Sequence, residues 1–130
     1  ENNVINKGTL SNFKTNPFLC CDPKEIIRIL KTPGLEASLL LDLGHLKVSA
    51  KTLGFDFLDA AKLLVPITRA VHISDNDGKL DLNNFFNAQS DVLNALKLFG
   101  HLDFITVEVY CDDLKKLHDQ IKLVQEYRKK

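Results

Sequence analysis

The chain has 130 residues, 45% of them hydrophobic, with 17 Lys and Arg balanced by 17 Asp and Glu. That length and apolar content suit one domain with one modest core and exclude a fibrous or disordered chain. Zero net charge removes any general attraction for a polyanion or an anionic membrane surface, so nucleic acid is not an expected partner. No apolar run approaches the roughly 20 residues that span a bilayer, so no membrane association is expected. The first residues resemble neither a signal peptide nor a transit peptide. Three cysteines outside any C-x-x-C spacing fit reduced thiols and a cytoplasmic setting rather than a disulfide framework. The chain begins at Glu1, without a methionine and inside a motif, so a piece of a longer protein is expected.

Residues 2–22 are rich in Asn, with Gly8 and Pro17 and no sustained period, which predicts a long loop. Asp22-Pro23 has the form of an N-cap followed by Pro at the first helical position, and Ile26, Ile27, Ile29 and Leu30 supply an apolar stripe up to Pro33-Gly34. From Ala37 to Leu43 the pattern alternates, with Leu39, Leu41 and Leu43 on one face and Ser38, Leu40 and Asp42 on the other, as in a strand. A short helix is predicted over 57–64, ended by Val65-Pro66, and a second strand over 68–74. Asp75-Asn76-Asp77-Gly78 opens a turn and a loop that continues through Asn84. Val92, Leu93, Leu96 and Phe99 mark a helix over 88–99 with Gly100 as its C-cap. A third strand is predicted over 104–110, and a last helix runs from Asp112-Asp113 to the basic end Arg128-Lys129-Lys130, a charge order that suits the helix dipole.

Strands alternating with helices imply a parallel sheet with right-handed crossovers, and functional residues at the carboxyl ends of the strands. One residue of metal-ligand type stands near the end of each strand: Asp42, His72 and Glu108. The spacings are 30 and 36 residues, close to the roughly 31 residues of one βα unit of an eight-fold barrel. Alternation puts Ala70, His72 and Ser74 on one face of the second strand and Thr106, Glu108 and Tyr110 on one face of the third. Asp42, His72 and Glu108 can therefore share one interior. Unpaired carboxylates there need a cation or mutual hydrogen bonds, and mixed oxygen and nitrogen donors suit Mn²⁺, Mg²⁺, Co²⁺ or Zn²⁺. The competing reading is ordinary packing, with a hydrogen-bonded core histidine and carboxylates paired with Lys or Arg. His101 and His118 read as surface residues, Cys20 and Cys21 as packing residues, and Asp75, Asp77 and Asp81 as turn residues, most clearly Asp77.

Leu-Asp-Leu-Gly-His at 41–45, His-Ile-Ser-Asp-Asn-Asp-Gly at 72–78, the Glu ending the third strand and the opening Glu1-Asn2-Asn3 resemble the carboxyl-terminal half of the xylose-isomerase-like barrels. That superfamily comprises sugar-phosphate isomerases and epimerases together with endonuclease IV. The resemblance implies an α/β fold: half of a (β/α)8 TIM barrel, parallel strands with flanking helices, with residues 1–130 a single partial domain from the end of strand five through helix eight. It also implies a divalent metal held by Glu1, Asp42, His72 and Glu108, with His45 contacting substrate oxygens. Glu1 and Glu108 become the acid/base pair that isomerises a sugar or sugar phosphate through an enediolate.

Three alternatives go with the resemblance. Endonuclease IV members use an Asp-x-His in the loop after the seventh strand, and here the matching stretch is Asp81-Leu82-Asn83, with Asn in place of His. A multi-iron oxidase of similar fold is the second. A non-catalytic half-barrel that serves as an assembly or binding module is the third. Half a barrel leaves open sheet edges, so a complementary half-barrel or self-association is expected beside a small carbohydrate substrate.

Overall fold

The computed structural model of the chain describes residues 1–129. Three parallel strands, β1 (Leu39–Asp42), β2 (Thr68–Ile73) and β3 (Phe104–Val107), form one sheet in the order β1-β2-β3. The helices are α1 (Lys7–Phe13), α2 (Pro23–Leu30), α3 (Leu43–Leu53), α4 (Phe57–Leu64), α5 (Asp91–Leu96) and α6 (Leu114–Arg128). This is the predicted α/β order of parallel strands and flanking helices. Ile26 of α2, Leu46 of α3, Ala61 and Leu64 of α4, and Leu93 and Leu96 of α5 join Leu39, Leu41, Val71 and Ile73 in one buried cluster. Full burial of each large aliphatic side chain contributes roughly 1.5–3 kcal/mol. Among the described residues, no helix is long and apolar enough to cross a membrane.

Several boundaries differ from the sequence reading, each for a local reason. A seven-residue helix, α1, lies inside the 2–22 segment predicted as loop. Asn6 caps it by accepting from Thr9 N at 2.9 Å, and it buries no residue, so it has no apolar stripe to reveal it. Helix α3 follows β1 without a loop, although the sequence placed Leu43 in the strand and left 44–56 unassigned. Asp42 is both the last residue of β1 and the N-cap of α3, its Oδ1 accepting from His45 N at 2.7 Å, and Gly54 closes the helix in the left-handed conformation at φ 83°.

Strand β2 stops at Ile73, because the Asp75 backbone turns aside to exchange two hydrogen bonds with Asn84. Helix α5 is shorter than 88–99, starting after the Ser90 cap and passing into a 3₁₀ turn over Lys97–Phe99. Gly100 is not a left-handed C-cap, since its φ is −59°. What its missing side chain permits is close approach of α6: a Cβ there would stand 2.6 Å from the Arg128 carbonyl oxygen. The Arg128 guanidinium in turn donates to the carbonyls of Gly100 and Leu102. Strand β3 ends at Val107 rather than at Tyr110. Glu108 N still donates to Ile73 O, but Tyr110 N turns to Asn83 O in the loop after β2. Helix α6 begins after the Asp113 cap and runs to Arg128, and Lys130 of the predicted basic end lies outside the described residues.

The outer edge of β3 has no strand partner among the described residues. Beside it runs a groove of about 450 Å³ between β3 and α6, lined by Ile105, Val107, Leu117, Ile121 and Val124 among others. Phe104, Tyr110 and Leu114 are exposed nearby in sequence.

Candidate metal centre

The sheet register sets two of the candidate residues side by side: Asp42 pairs with His72 across β1 and β2. His72 is level with Thr106 of β3, and Glu108 lies two residues further along, on the same face by strand alternation. Glu1 arrives from outside the sheet. The segment behind it is sewn down by Asn2, whose Nδ2 donates to Asp42 O at 3.0 Å and whose Oδ1 accepts from Asp42 N at 2.6 Å. Further along, Asn3 N donates to Cys20 O and Ile5 N to the buried Ser49 hydroxyl. His45, in the first turn of α3, points back to the same place.

The result is a row in which carboxylates and imidazoles alternate. Asp81 Oδ2 lies 3.2 Å from His45 Nε2, and His45 Nδ1 lies 3.7 Å from Glu1 Oε1. The same Glu1 oxygen lies 3.7 Å from His72 Nδ1, which is 2.8 Å from Glu108 Oε1. Glu1, Asp42 and His72 each bring one donor atom within 4.8 Å of the others. Glu108 touches His72 but stands outside that mutual set.

Two buried atoms here have no hydrogen-bond partner, Asp42 Oδ2 and His72 Nδ1. The Glu108 carboxylate is near enough to His72 Nδ1 for an ion pair, but it is not aligned with the ring N–H, so the close contact is not a hydrogen bond. Buried polar atoms are nearly always satisfied, and two such exceptions on residues paired across β1 and β2 call for an explanation. Asp42 is 1% exposed. Burial pushes its carboxyl above the ordinary range; the nearby His45 opposes this, while Glu1 and Glu108 add to it. For His45, burial disfavours the charged ring, but Asp42, the Asn2 carbonyl, Asp81 and Glu1 together outweigh that and raise its pKa.

A divalent cation fits this donor set. Three carboxylates and an imidazole supply oxygen and nitrogen ligands of the kind that borderline and hard divalent ions take. Among the described residues, no Lys or Arg pairs with Glu1, Asp42 or Glu108, and the nearby Lys47 is committed to Asp75 at 2.8 Å. The two unpartnered atoms belong to Asp42 and His72, which are both in the convergent set.

No protein-family model matches the sequence, and no curated protein matches it. Comparison with solved structures finds the crystal structure of a D-tagatose 3-epimerase-like protein, aligned over 98% of this chain with a TM-score of 0.68 and 17% sequence identity. The fold is that of a TIM-barrel segment. The chain spans 45% of the length of that protein, in keeping with half of an eight-fold barrel, and the open edge of β3 lies where a barrel sheet would continue.

All five residues singled out from the sequence, Glu1, Asp42, His45, His72 and Glu108, meet at the carboxyl ends of the strands. Two that sequence reasoning passed over also reach the cluster. Asp81 was read as a turn residue and as the first residue of the stretch matching an Asp-x-His motif, but not as a neighbour of His45, which its carboxylate contacts. Asn2 is 2% exposed and holds Asp42 on both backbone atoms. These contacts leave no local signal, because their partners lie 36 and 40 residues away. Asp77 does behave as a turn residue, exposed and accepting from Lys79 N and Leu80 N, which lowers its pKa. Asn83 adopts a left-handed φ of 47°, and its Oδ1 accepts from Ser74 Oγ. Cys21 is buried, with its thiol pushed up to about 11 chiefly by burial, in keeping with its reading as a packing residue.

Proposed function

We propose that the chain is the carboxyl-terminal half of a divalent-metal-dependent isomerase or epimerase acting on a sugar or sugar phosphate. The observation that carries this reading is the convergence of Glu1, Asp42 and His72, with two buried ligand atoms left without hydrogen-bond partners among the described residues. Glu1, Asp42, His72 and Glu108 would hold the ion, Mn²⁺, Mg²⁺, Co²⁺ or Zn²⁺. When bound, such an ion supplies Lewis-acid polarisation of a substrate carbonyl.

The chain's own residues account for the proton transfers. Glu1 and Glu108 approach His72 from different parts of the chain, at 3.7 and 2.8 Å. One carboxylate removes a proton from the carbon beside the carbonyl, and the other returns a proton through the enediolate. His45 contacts substrate oxygens from the same side through Nε2, which here meets Asp81 Oδ2 at 3.2 Å, while its Nδ1 is committed to the Asn2 carbonyl at 3.0 Å. The structural likeness to an epimerase-like protein supports the fold on which this reading rests.

The open β3 edge and the β3–α6 groove support a second element of the proposal: a complementary half-barrel, or a second copy of this chain, completes the wall. A half-barrel kept purely for assembly would share these surfaces but would not need the convergent donors. The phosphodiesterase alternative is less favoured, because Asn83 stands where a further ligand is expected and its side-chain oxygen already accepts from the Ser74 hydroxyl.

Thermal unfolding of the metal-stripped chain with and without added Mn²⁺ or Co²⁺ tests the reading. The ion is expected to raise the melting temperature of the wild type, and Asp42→Ala and His72→Ala are each expected to abolish the rise. The same rise in both variants would overturn the proposal.

A further inference from the structure

We infer that Asn2 is the positioning residue that joins the two pieces of chain forming the metal centre, an inference that rests on the metal centre proposed above. The centre is assembled from the 1–6 segment, which brings Glu1, and from β1 with the start of α3, which brings Asp42 and His45. At the level of Asp42 the outer edge of β1 has an N–H and a C=O that point away from β2. No strand takes them up among the described residues. The carboxamide of Asn2 does, with its oxygen on the N–H at 2.6 Å and its nitrogen on the C=O at 3.0 Å.

A carboxamide has the same donor and acceptor as a peptide group, so one side chain stands in for a neighbouring strand. Asp could not donate, Leu could do neither, and Gln would carry the amide one methylene too far. The backbone carbonyl of Asn2 also meets His45 Nδ1 at 3.0 Å. A carbonyl can only accept, so this contact fixes Nδ1 as the donor. Glu1 is bonded directly to Asn2.

One buried residue thus ties Glu1, Asp42 and His45 to a common frame. With the clamp in place, the unpartnered Oδ2 of Asp42 is held toward the site while Oδ1 caps α3. Without it, Glu1 has no fixed distance to Asp42 and His72, and the three-residue set loses a member. Residues that orient ligands in this way alter metal affinity by about 10- to 100-fold when replaced.

The test is calorimetric titration of Co²⁺ into the metal-stripped full chain, comparing wild type, Asn2→Leu, Asn2→Ala and Asn3→Ala, with each melting temperature measured in EDTA. Asn3 lies in the same segment, but its side chain bonds only the exposed Val4 N. Asn2→Leu and Asn2→Ala are expected to weaken Co²⁺ binding about 10- to 100-fold, and Asn3→Ala is expected to bind as the wild type does. Asn2→Ala provides the comparison if Asn2→Leu does not fold. Wild-type affinity in a folded Asn2 variant, even one with a lowered melting temperature, would overturn the inference while leaving the metal centre standing. Absence of Co²⁺ binding by the wild type would overturn the metal centre itself, and this inference with it.

Discussion

Replacing Asp42 by Asn separates what the site costs from what it does. The Asp42 side chain has two roles that fall on different atoms. Oδ1 caps α3 through His45 N, and Oδ2 is buried without a partner. Asn caps about as well as Asp, so the cap survives the change, whereas Ala would lose about 1 kcal/mol of it. The Asn2 clamp also survives, because it bonds the backbone of Asp42. What disappears is a buried charge, and a buried unsatisfied polar group costs about 1–3 kcal/mol, more when charged. His45 returns part of that cost, since it opposes the upward push on the Asp42 carboxyl.

A net gain of about 1 kcal/mol is therefore expected for Asp42→Asn in EDTA near pH 7, or about 3–5 °C in melting temperature for a domain of this size. The pH dependence has a defined sign. Because the folded-state pKa is raised above the ordinary 3.8, the folded protein binds the extra proton within that window. Wild-type stability accordingly falls as pH rises through the folded pKa. The advantage of the variant should be full above that pKa and vanish as pH drops toward 3.8. Circular dichroism melts across pH, repeated with Mn²⁺, provide the measurement, and the ion should stabilise the wild type but not the variant. An Asp42→Asn protein less stable than wild type in EDTA, or an advantage unchanged in acid, would refute the reasoning.

Gly44→Ala tests how closely α3 rests on the end of β2. The substitution would gain up to about 1 kcal/mol of helix propensity. The new Cβ would meet the fully buried Ser74 Oγ at 2.7 Å, with Asp42 Oδ1 at 3.2 Å and Asn76 Nδ2 at 3.3 Å. Over-packing costs about 1–3 kcal/mol, so a net loss of about 1 kcal/mol is expected in urea unfolding, and a stabilised variant would contradict it. Asp81→Asn removes one of the charges that raise the His45 pKa, so that pKa should fall. Nuclear magnetic resonance titration of the ring protons would show this, and an unmoved pKa would mean that Asp81 and His45 are not in contact in solution.

Much of this architecture was legible because it rests on periods. Alternation in Leu39–Leu41, Ala70–Ser74 and Ile105–Val109 depends on the chain's own geometry, and it assigned Asp42, His72 and Glu108 to one face without knowledge of their neighbours. Capping chemistry was equally local at Asp22-Pro23, where the side chain accepts from Lys24 N and Glu25 N as expected. At Asp42 the same chemistry was present but overlooked, since a residue ending an apolar strand gave no sign that a helix would start at once. Helix α1 had no apolar stripe to show, and β3 was shortened by a hydrogen bond from Tyr110 to a loop 27 residues earlier.

The residue types and spacing of the site, and the strand faces that carry them, were determined by the sequence alone, because each depends on interactions within a few residues. Tertiary structure decided which groups those residues meet. Asn2 replaces a strand at the edge of β1, Asp81 crosses from a turn to His45, and Asp42 Oδ2 and His72 Nδ1 are left without hydrogen-bond partners among the described residues. Contacts of this kind join elements tens of residues apart, and they exist only once the chain has closed around them.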